Sequence, residues 1–581
     1  MSFSLFRDMP HLSIVIDGNE SSIMRDVLAI AVRNEIARIP EAEIVCIDYL
    51  NDDQNNSFPN ANLNDLVTGK TVEIKAGNST DTQTIFKGRI IKIAQKLHQS
   101  NGLQVIFTLK HDAYKLTLNR KNRIFTDQSD SDIFKSITSE YNLTTDADDT
   151  GNSHDKMVQF NLSDWDFLNL RAEANSLLVI ADTEKLLFKK TSSGQTPVVS
   201  LRAGNTLLDL EVELDSRQEF TTYKAKVWNA SEQETKNIEL PSATFGSPGG
   251  TASTGQLANE TANLPFYLHL PSNLSEDETE KLLKSRILQN NYSKLSGVAK
   301  CIGTTSVKPG DLVILEGIGS RLSGNAFVSG VLQSYNLQNG WQTTLQLGLD
   351  KNLFINRFNN VVLPSSAGCN SPADGLQTAV VTALEGDPAN EFRIKIKLPL
   401  FGIDNEIWAR KAFLDAGNER GLAFLPEIGD EVVVGFLDND PRQAIVLGSL
   451  YSSTIPLPNT LKDDNFLKGF YSKKKLKLEF DDEKGCINIV TEKSQKIVLD
   501  DDGDKISIED SNDNKIMLSS DGISFQSPKN ITIQSSQGDL SIEGINVNIK
   551  ASAQFKAEGS AGTEISSSAV TNVKGSIVNI N

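Results

Sequence analysis

The last hundred residues restrict the fold of this chain more than any other stretch. From Cys486 onward, apolar residues fall in pairs with one residue between them: Ile487/Ile489, Ile497/Leu499, Ile506/Ile508, Ile516/Leu518, Ile523/Phe525, Ile531/Ile533, Leu540/Ile542 and Val547/Ile549. Single apolar residues follow at Phe555, Ile565 and Val573. The units recur every seven to ten residues, and the intervals between pairs often hold glycine, as at Gly503, Gly522, Gly538, Gly544 and Gly575. Each unit reads as one short strand and one turn. A strand that buries two side chains on one face cannot offset the entropy of ordering its backbone, about 1–2 kcal/mol per residue. The units must therefore stack. Period alone leaves two arrangements open: a single-chain solenoid with about three units per turn, or three chains wound together with one unit each.

Ahead of this repeat, Gly421 to Tyr451 (GLAFLPEIGDEVVVGFLDNDPRQAIVLGSLY) reads as tight strand-turn-strand. Pro426 with Gly429-Asp430 makes a turn, Glu431 to Leu437 a buried run, Asp438 to Arg442 a second turn and Ala444 to Leu447 another strand. Upstream, Phe392, Ile394, Ile396 and Leu398 alternate with Arg393, Lys395 and Lys397, the signature of a strand with one face buried. Thr378 to Tyr451 thus fits a five-stranded oligonucleotide/oligosaccharide-type (OB) barrel.

The chain has 581 residues, too many for one core. A formal charge of −18 argues against a nucleic-acid grip along its length. The cysteines Cys46, Cys301, Cys369 and Cys486 are mutually distant and lack C-x-x-C spacing, so they signal neither a zinc site nor a disulfide framework. No basic leader with a sustained apolar run opens the chain, and no stretch has eighteen consecutive apolar residues. The expectation is synthesis in the cytoplasm without a signal peptide, with release by a machine or by lysis.

In the first ~120 residues, Leu12, Ile14 and Ile16 alternate into Asp17-Gly18, and strands recur near 44, 72, 84 and 104, which reads as a β barrel or sandwich. Helices are expected from Ser131 to Tyr141, from the Ser163 cap, and from Ser275 to about Leu295 behind the Ser275/Glu278 capping box. Pro241 to Asn263, rich in Gly, Ser and Thr, reads as a surface loop.

These segments together carry a resemblance. FLPEIGDEVVVGFLDNDPRQAIVLGSLY closely resembles the barrel of VgrG-type spike proteins of contractile injection systems, a family shared with phage tail-spike hubs. SDWDFLNLRAEANSLLVIADTEKLLF and the stretch Ser306 to Leu349 look like parts of the phage-type hub domain, and QKIVLDDDGDKISIEDSNDNKIMLSSDG is similar to the start of the family's intertwined trimeric needle. The family's regular valine-glycine octads are irregular here. The resemblance implies a mainly β fold divided into a first hub barrel (1–150), a second hub domain with helices (151–366), an OB barrel (367–455), a linker (456–475) and a trimeric β-helix needle (476–581). It implies a homotrimer whose needle core is built from Ile497, Ile506, Ile516, Ile531 and Ile542. Expected partners are an inner-tube protein ring, baseplate proteins, a PAAR-like tip protein, effector cargo and a target-cell envelope. The hub wording favours an extracellular phage-tail-like particle over type VI secretion or a phage tail. With no histidine after His269 to build a metal-bound tip, Val578 and Ile580 are the expected docking point for the tip protein.

No catalytic, cofactor or metal site is expected. Asp500, Asp501, Asp502 and Asp504 surround Gly503, but an EF-hand register would put Val498 where the first acidic ligand belongs. Gly317, Gly319 and Gly324 fail the phosphate-loop spacing and read as turns. Lys473, Lys474 and Lys475 read as a turn balanced by Asp481, Asp482 and Glu483, and Asp164, Asp166, Arg171 and Glu173 as a solvated helix face. The five histidines (His11, His98, His111, His154, His269) are scattered. About twenty residues separate Tyr451 from the first needle strand, too few for an inserted lysozyme domain of roughly 50 residues or more. The alternative is a trimeric receptor-binding or polysaccharide-degrading tailspike, which needs paired carboxylates in an aromatic groove. The repeat region offers only Phe525 and Phe555 for one.

Overall fold

The computed structural model describes residues 11–49, 66–78, 81–98, 102–191, 195–229, 234–242, 260, 263–270, 275–358, 373–399 and 406–580. Most of the expected loop at 241–263, and Cys369, lie outside them. The chain forms two compact units, Met1–Asp374 with Phe436–Gln443, and Gly375–Gly435 with Ala444–Asn581.

In the first unit, one sheet of thirteen strands carries the fold. It runs from Asn19–Glu20 and His11–Ile16 through Thr71–Gly77, Thr82–His98, Gly102–Lys110, Glu41–Asp48 and Val27–Glu35. It continues through Gly324–Asn336, Gly340–Leu347 and Leu295–Ile302 to Leu207–Leu214, with Leu312–Glu316 and Val199–Arg202 branching from Gly324–Asn336. Alternation decides which side chains go in: Ile14, Ile74, Phe86, Val105 and Phe107 are buried in the first core. Val32 pairs with Gln333 and Ile30 with Tyr335, so strands from near residue 30 and near residue 330 are neighbours on this sheet.

A second core gathers side chains from residues 113 to 188 together with Phe354, with Phe134 stacked on Phe188 at 4.3 Å between ring centroids. The expected division at residue 150 runs through this core. Its first helix, Asp130–Ser139, begins one residue ahead of the expected Ser131 behind a Ser129 cap that accepts from the Asp132 amide at 3.2 Å, and the second begins at the expected Ser163 cap, which accepts from that of Asp166 at 3.1 Å. The Ser275/Glu278 capping box is also formed, at the start of Glu276–Ser293, whose Leu283 and Ile287 pack on Tyr223 and Ala225 of a three-stranded sheet made of Glu234–Pro241, Thr222–Asn229 and Phe266–Leu270. Gly317 and Gly319 occupy positive-φ positions in the connection after Leu312–Glu316, as expected of them, while Gly324, also at positive φ, opens the strand Gly324–Asn336 and is not in a turn.

The helix Asp164–Ala174 corrects the expectation of a solvated charged face. Asp164 is fully buried and binds Arg123 at 2.5 Å, Tyr141 at 2.5 Å and Gln159 at 2.9 Å. Arg171 makes two 2.8 Å bonds to buried Asp130, which also meets Asn175 and His154. Glu173 accepts the Phe354 amide at 3.0 Å. Neighbouring elements enclose the helix on its polar side as well, so its charges pair inside the unit. This network ties helix to helix.

Burial pushes the Asp130 carboxyl up, while Arg171, His154 and Asn175 hold it down and prevail, leaving it below the ordinary carboxylate range. A depressed folded-state pKa contributes stability above the unfolded value of about 3.9 that is lost as pH falls. Asp130→Ala should therefore cost about 3 kcal/mol at pH 7, because it strands Arg171 without its partner. Urea unfolding should show that difference shrinking as the pH is lowered below about 4.

Candidate functional site

Unit two begins with a closed barrel of five strands, Gln377–Ala383, Ile394–Lys397, Glu406–Lys411, Glu431–Phe436 and Ala444–Ser449. Ala379, Val381, Ile394, Ile396, Val432, Val434 and Val446 fill it. Phe392, expected to point inward, instead precedes the strand in the left-handed region (φ +56°) and is 95% exposed. The turns around it follow Asp387, which accepts the amides of Ala389, Glu391 and Arg393 and the Arg393 side chain.

Beyond the barrel, Leu467–Tyr471 is already a strand, inside the stretch expected to be linker. It opens a meander of seven five-residue strands ending at Gly522–Gln526, each antiparallel to the next. Lys473 donates to Glu427 at 2.9 Å, while Asp482 takes Lys468 and Asp481 takes Lys484. The lysine turn is therefore balanced by the barrel's own loop and not by the acids that follow it in sequence.

The register sorts the side chains. Ile497 stands opposite Ile489 and Ile508, and Ile508 opposite Ile516, which in turn faces Phe525. A parallel column holds Phe480, Ile487, Leu499, Ile506, Leu518 and Ile523. Residues two apart share a face, so both columns form one apolar surface. Of the residues expected in the needle core, Ile497, Ile506 and Ile516 lie together on it. Phe470, Leu478 and Phe480 extend it upward, and sequence reading missed them because the lysine turn between the first two strands masked the repeat.

This surface is uncovered. Ile489, Ile508 and Phe525 are 44%, 44% and 64% exposed. The opposite, polar face is knitted by registered ion pairs, Lys496 and Lys515 to Glu509 at 3.1 and 2.5 Å and Lys505 to Asp500 at 3.1 Å. The Lys515 and Lys496 ammonium groups hold the Glu509 carboxyl below its usual range. Asp500 accepts the Gly503 amide at 2.8 Å, closing the acidic turn on itself.

From Ser527 to Ile580 no described residue belongs to a strand, although apolar residues continue at the same spacing. Ile531, Ile542, Val578 and Ile580 are all exposed there. Ile531 lines the same open hollow as Ile497, Ile516 and Phe525, and Ile542 does not. Only the start of this segment reaches the sheet, where Ser527 bonds Asn514 at 2.5 Å; among the described residues most of the apolar surface stays open and residues 527–580 have no strand partner.

A hub of sheet and helices, an OB barrel and a shaft with an unpartnered apolar face define a spike-type tail protein. Residues 7–336 match the family described as the Alg8 N-terminal domain, and residues 377–451 match the type VI secretion system/phage-baseplate injector OB domain. The first match spans more than half of the sequence: the chain belongs to the Alg8 N-terminal domain family, and with its injector barrel it is a VgrG-type spike protein.

Among curated relatives, type VI secretion system spike protein VgrG3 of Vibrio cholerae is 35% identical over 104 residues, covering 16% of this chain and 10% of that protein. VgrG4b of Pseudomonas aeruginosa is 37% identical over 95 residues, covering 15% and 12%. A Vibrio cholerae protein named actin cross-linking toxin VgrG1 is 35% identical over 98 residues, 16% and 9% of the two chains. The matched stretch is thus about a tenth of each relative's length. Among solved structures, a 43 kDa prophage MuSo2 tail protein from Shewanella oneidensis has a TM-score of 0.45 at 12% identity, covering 58% of this chain and 98% of its own. The E. coli c3393 protein, a type VI secretion component, gives 0.38 at 13%, covering 75% and 99%.

If the apolar face is a contact surface, charges placed on it should act on association alone. Ile497→Asp with Ile508→Asp should leave hub and barrel unfolding unchanged, since both side chains are more than a third exposed. The same double variant should sharply weaken self-association of the full chain in light scattering.

Proposed function

We propose that this chain is the structural central spike of a contractile injection machine, acting as a homotrimer that joins a hexameric inner tube to an envelope-piercing needle. The supporting observation is the shaft. Its apolar face is exposed over seven consecutive strands, and its last fifty-odd residues have no strand partner in their own chain. Three copies of the meander would turn their apolar faces to a common axis. Ile497, Ile506 and Ile516 would then lie in the core, each gaining about 1 kcal/mol from losing its remaining exposed area. Below Ser527 the three chains would wind around one another, each supplying the backbone partners that the others lack, with Ile531 and Ile542 continuing the core.

In this reading the hub seats on the inner-tube ring among the baseplate proteins, the role is mechanical and not catalytic, and effector cargo travels with the particle. The particle is assembled in the cytoplasm and released outside the cell. Val578 and Ile580, both exposed, would contact a PAAR-like tip protein.

Light scattering at micromolar concentration should give a trimer, and a truncation after Tyr451 should dissociate far more readily. A stable full-length monomer would contradict the reading. About twelve strand layers at ~4.8 Å should appear by electron microscopy as a rigid shaft on the order of 55–60 Å. In a pull-down with the candidate tip protein, the trimer should bind and a version lacking residues 575–581 should not. Equal binding by both would exclude Val578 and Ile580 as the docking point.

A further inference from the structure

The barrel has a polarised end. Its registers place the close of Gln377–Ala383, the start of Ile394–Lys397, the close of Glu406–Lys411 and the start of Glu431–Phe436 at the same end, from which Ala444–Ser449 also leaves for the shaft. Two loops emerge there. One, residues 384–393, presents Phe392. The other, residues 412–430, carries Phe424, Leu425 and Ile428, at 56%, 48% and 64% exposure.

Phe392 is not an incidental surface residue. A bulky side chain in the left-handed backbone region is a strained placement, and Asn390, two residues earlier, is left-handed as well (φ +54°). Asp387 holds this geometry with three backbone amides and a two-nitrogen grip on Arg393, at 3.0 and 2.6 Å. The result is a rigid loop that pushes an aromatic ring into solvent, where it gains nothing from burial. Within its own chain the ring touches neither Phe424 nor Ile428 closely enough to be covered, as its 95% exposure requires.

The opposing surface has matching chemistry. Phe424 stacks on Phe470 of the first shaft strand at 5.6 Å, so the exposed run from 424 to 428 is continuous with the apolar face of the shaft. Lys473 is fixed to Glu427, which brings the turn bearing exposed Lys474 and Lys475 beside this run. The Phe392 loop carries exposed Glu385 and Glu391. An acidic loop with an aromatic knob and a lysine-flanked apolar seat therefore occur on one molecule, at one end of one barrel, unengaged with each other.

We propose that Phe392 seats in the Phe424–Leu425–Ile428 run of the next copy of this chain, with Glu391 facing that copy's Lys474 and Lys475. Such a contact joins two different patches, so it is head-to-tail, and repeated by rotation it closes into a ring. The inference rests on the trimer proposed above and assigns it a second lock, at the barrel, independent of the shaft core. It also accounts for the strain at Phe392: the rigid loop presents the ring in its bound position, which lowers the ordering cost of association.

The test is a double variant of the full chain, Phe392→Cys with Ile428→Cys, oxidised and run on a denaturing gel, with each single variant as the control for cross-links through Cys369 or Cys486. The double variant should give covalent dimers and trimers that neither single variant gives. In parallel, Glu391→Lys should lower the temperature at which the trimer dissociates, and adding Lys474→Glu and Lys475→Glu should restore it. A trimer by light scattering that shows no cross-link in the double variant and no charge rescue overturns this contact and assigns Phe392 to some other partner, leaving the trimeric shaft standing. A monomer overturns both.

Discussion

A strand of five residues puts two or three side chains on each face, and in the shaft nearly all of those on one face are apolar. The seven-stranded meander satisfies its backbone by pairing each strand with its neighbours, and its polar face by ion pairs in register. The apolar face has no such recourse. A sheet one layer thick can hide one side at most, and among the described residues little is laid against the hydrophobic side, which stays largely exposed. The rest of the lower molecule depends on that deficit. Further along, where even strand pairing ceases within the chain, the deficit extends from side chains to backbone amides and carbonyls, and those groups are obligatory hydrogen-bonders.

The hub solves the opposite problem. It has side chains enough to fill five buried clusters, and its difficulty is joining them, because its elements come from distant parts of the sequence. Buried carboxylates do much of that work. Asp164 gathers residues from the strand Arg120–Gln128, from the end of the helix before it and from His154–Ser163, while Asp130 holds Arg171 and Asn175 of the next helix. Each is paired, as a buried charge must be. Such directional links fix how the elements of the hub sit against each other in a way that apolar contacts, which can slide, do not.

Local chemistry was legible from the residues. Capping serines Ser163 and Ser275 announced two of the three main helices and the shared face of Ile133, Phe134 and Ile137 the other, period-two alternation marked the barrel strands, and paired isoleucines marked the strands from Cys486 to Gln526. What escaped was set by neighbours distant in sequence. The charges of Asp164–Ala174 look amphipathic in isolation, yet the surrounding elements enclose them. Phe392 continues the alternation of Ile394 and Ile396, but Asp387 captures the amides that a strand would have used and turns the backbone aside. Phe470 and Phe480 belong to the apolar face, but the three lysines between their strands broke the pattern.

The sequence by itself determined that the C-terminal part is a stack of short strands with one apolar side, because a two-residue period and a recurrent turn need only local information. It determined equally that a five-stranded barrel precedes the stack. Only the tertiary structure decided that the first seven strands pair antiparallel within one chain, that the chain then ceases to pair with itself after Gln526, and that strands near residues 30 and 330 share a sheet. Strand direction and partner depend on how turns close and on which edges meet, and side-chain period carries no record of either.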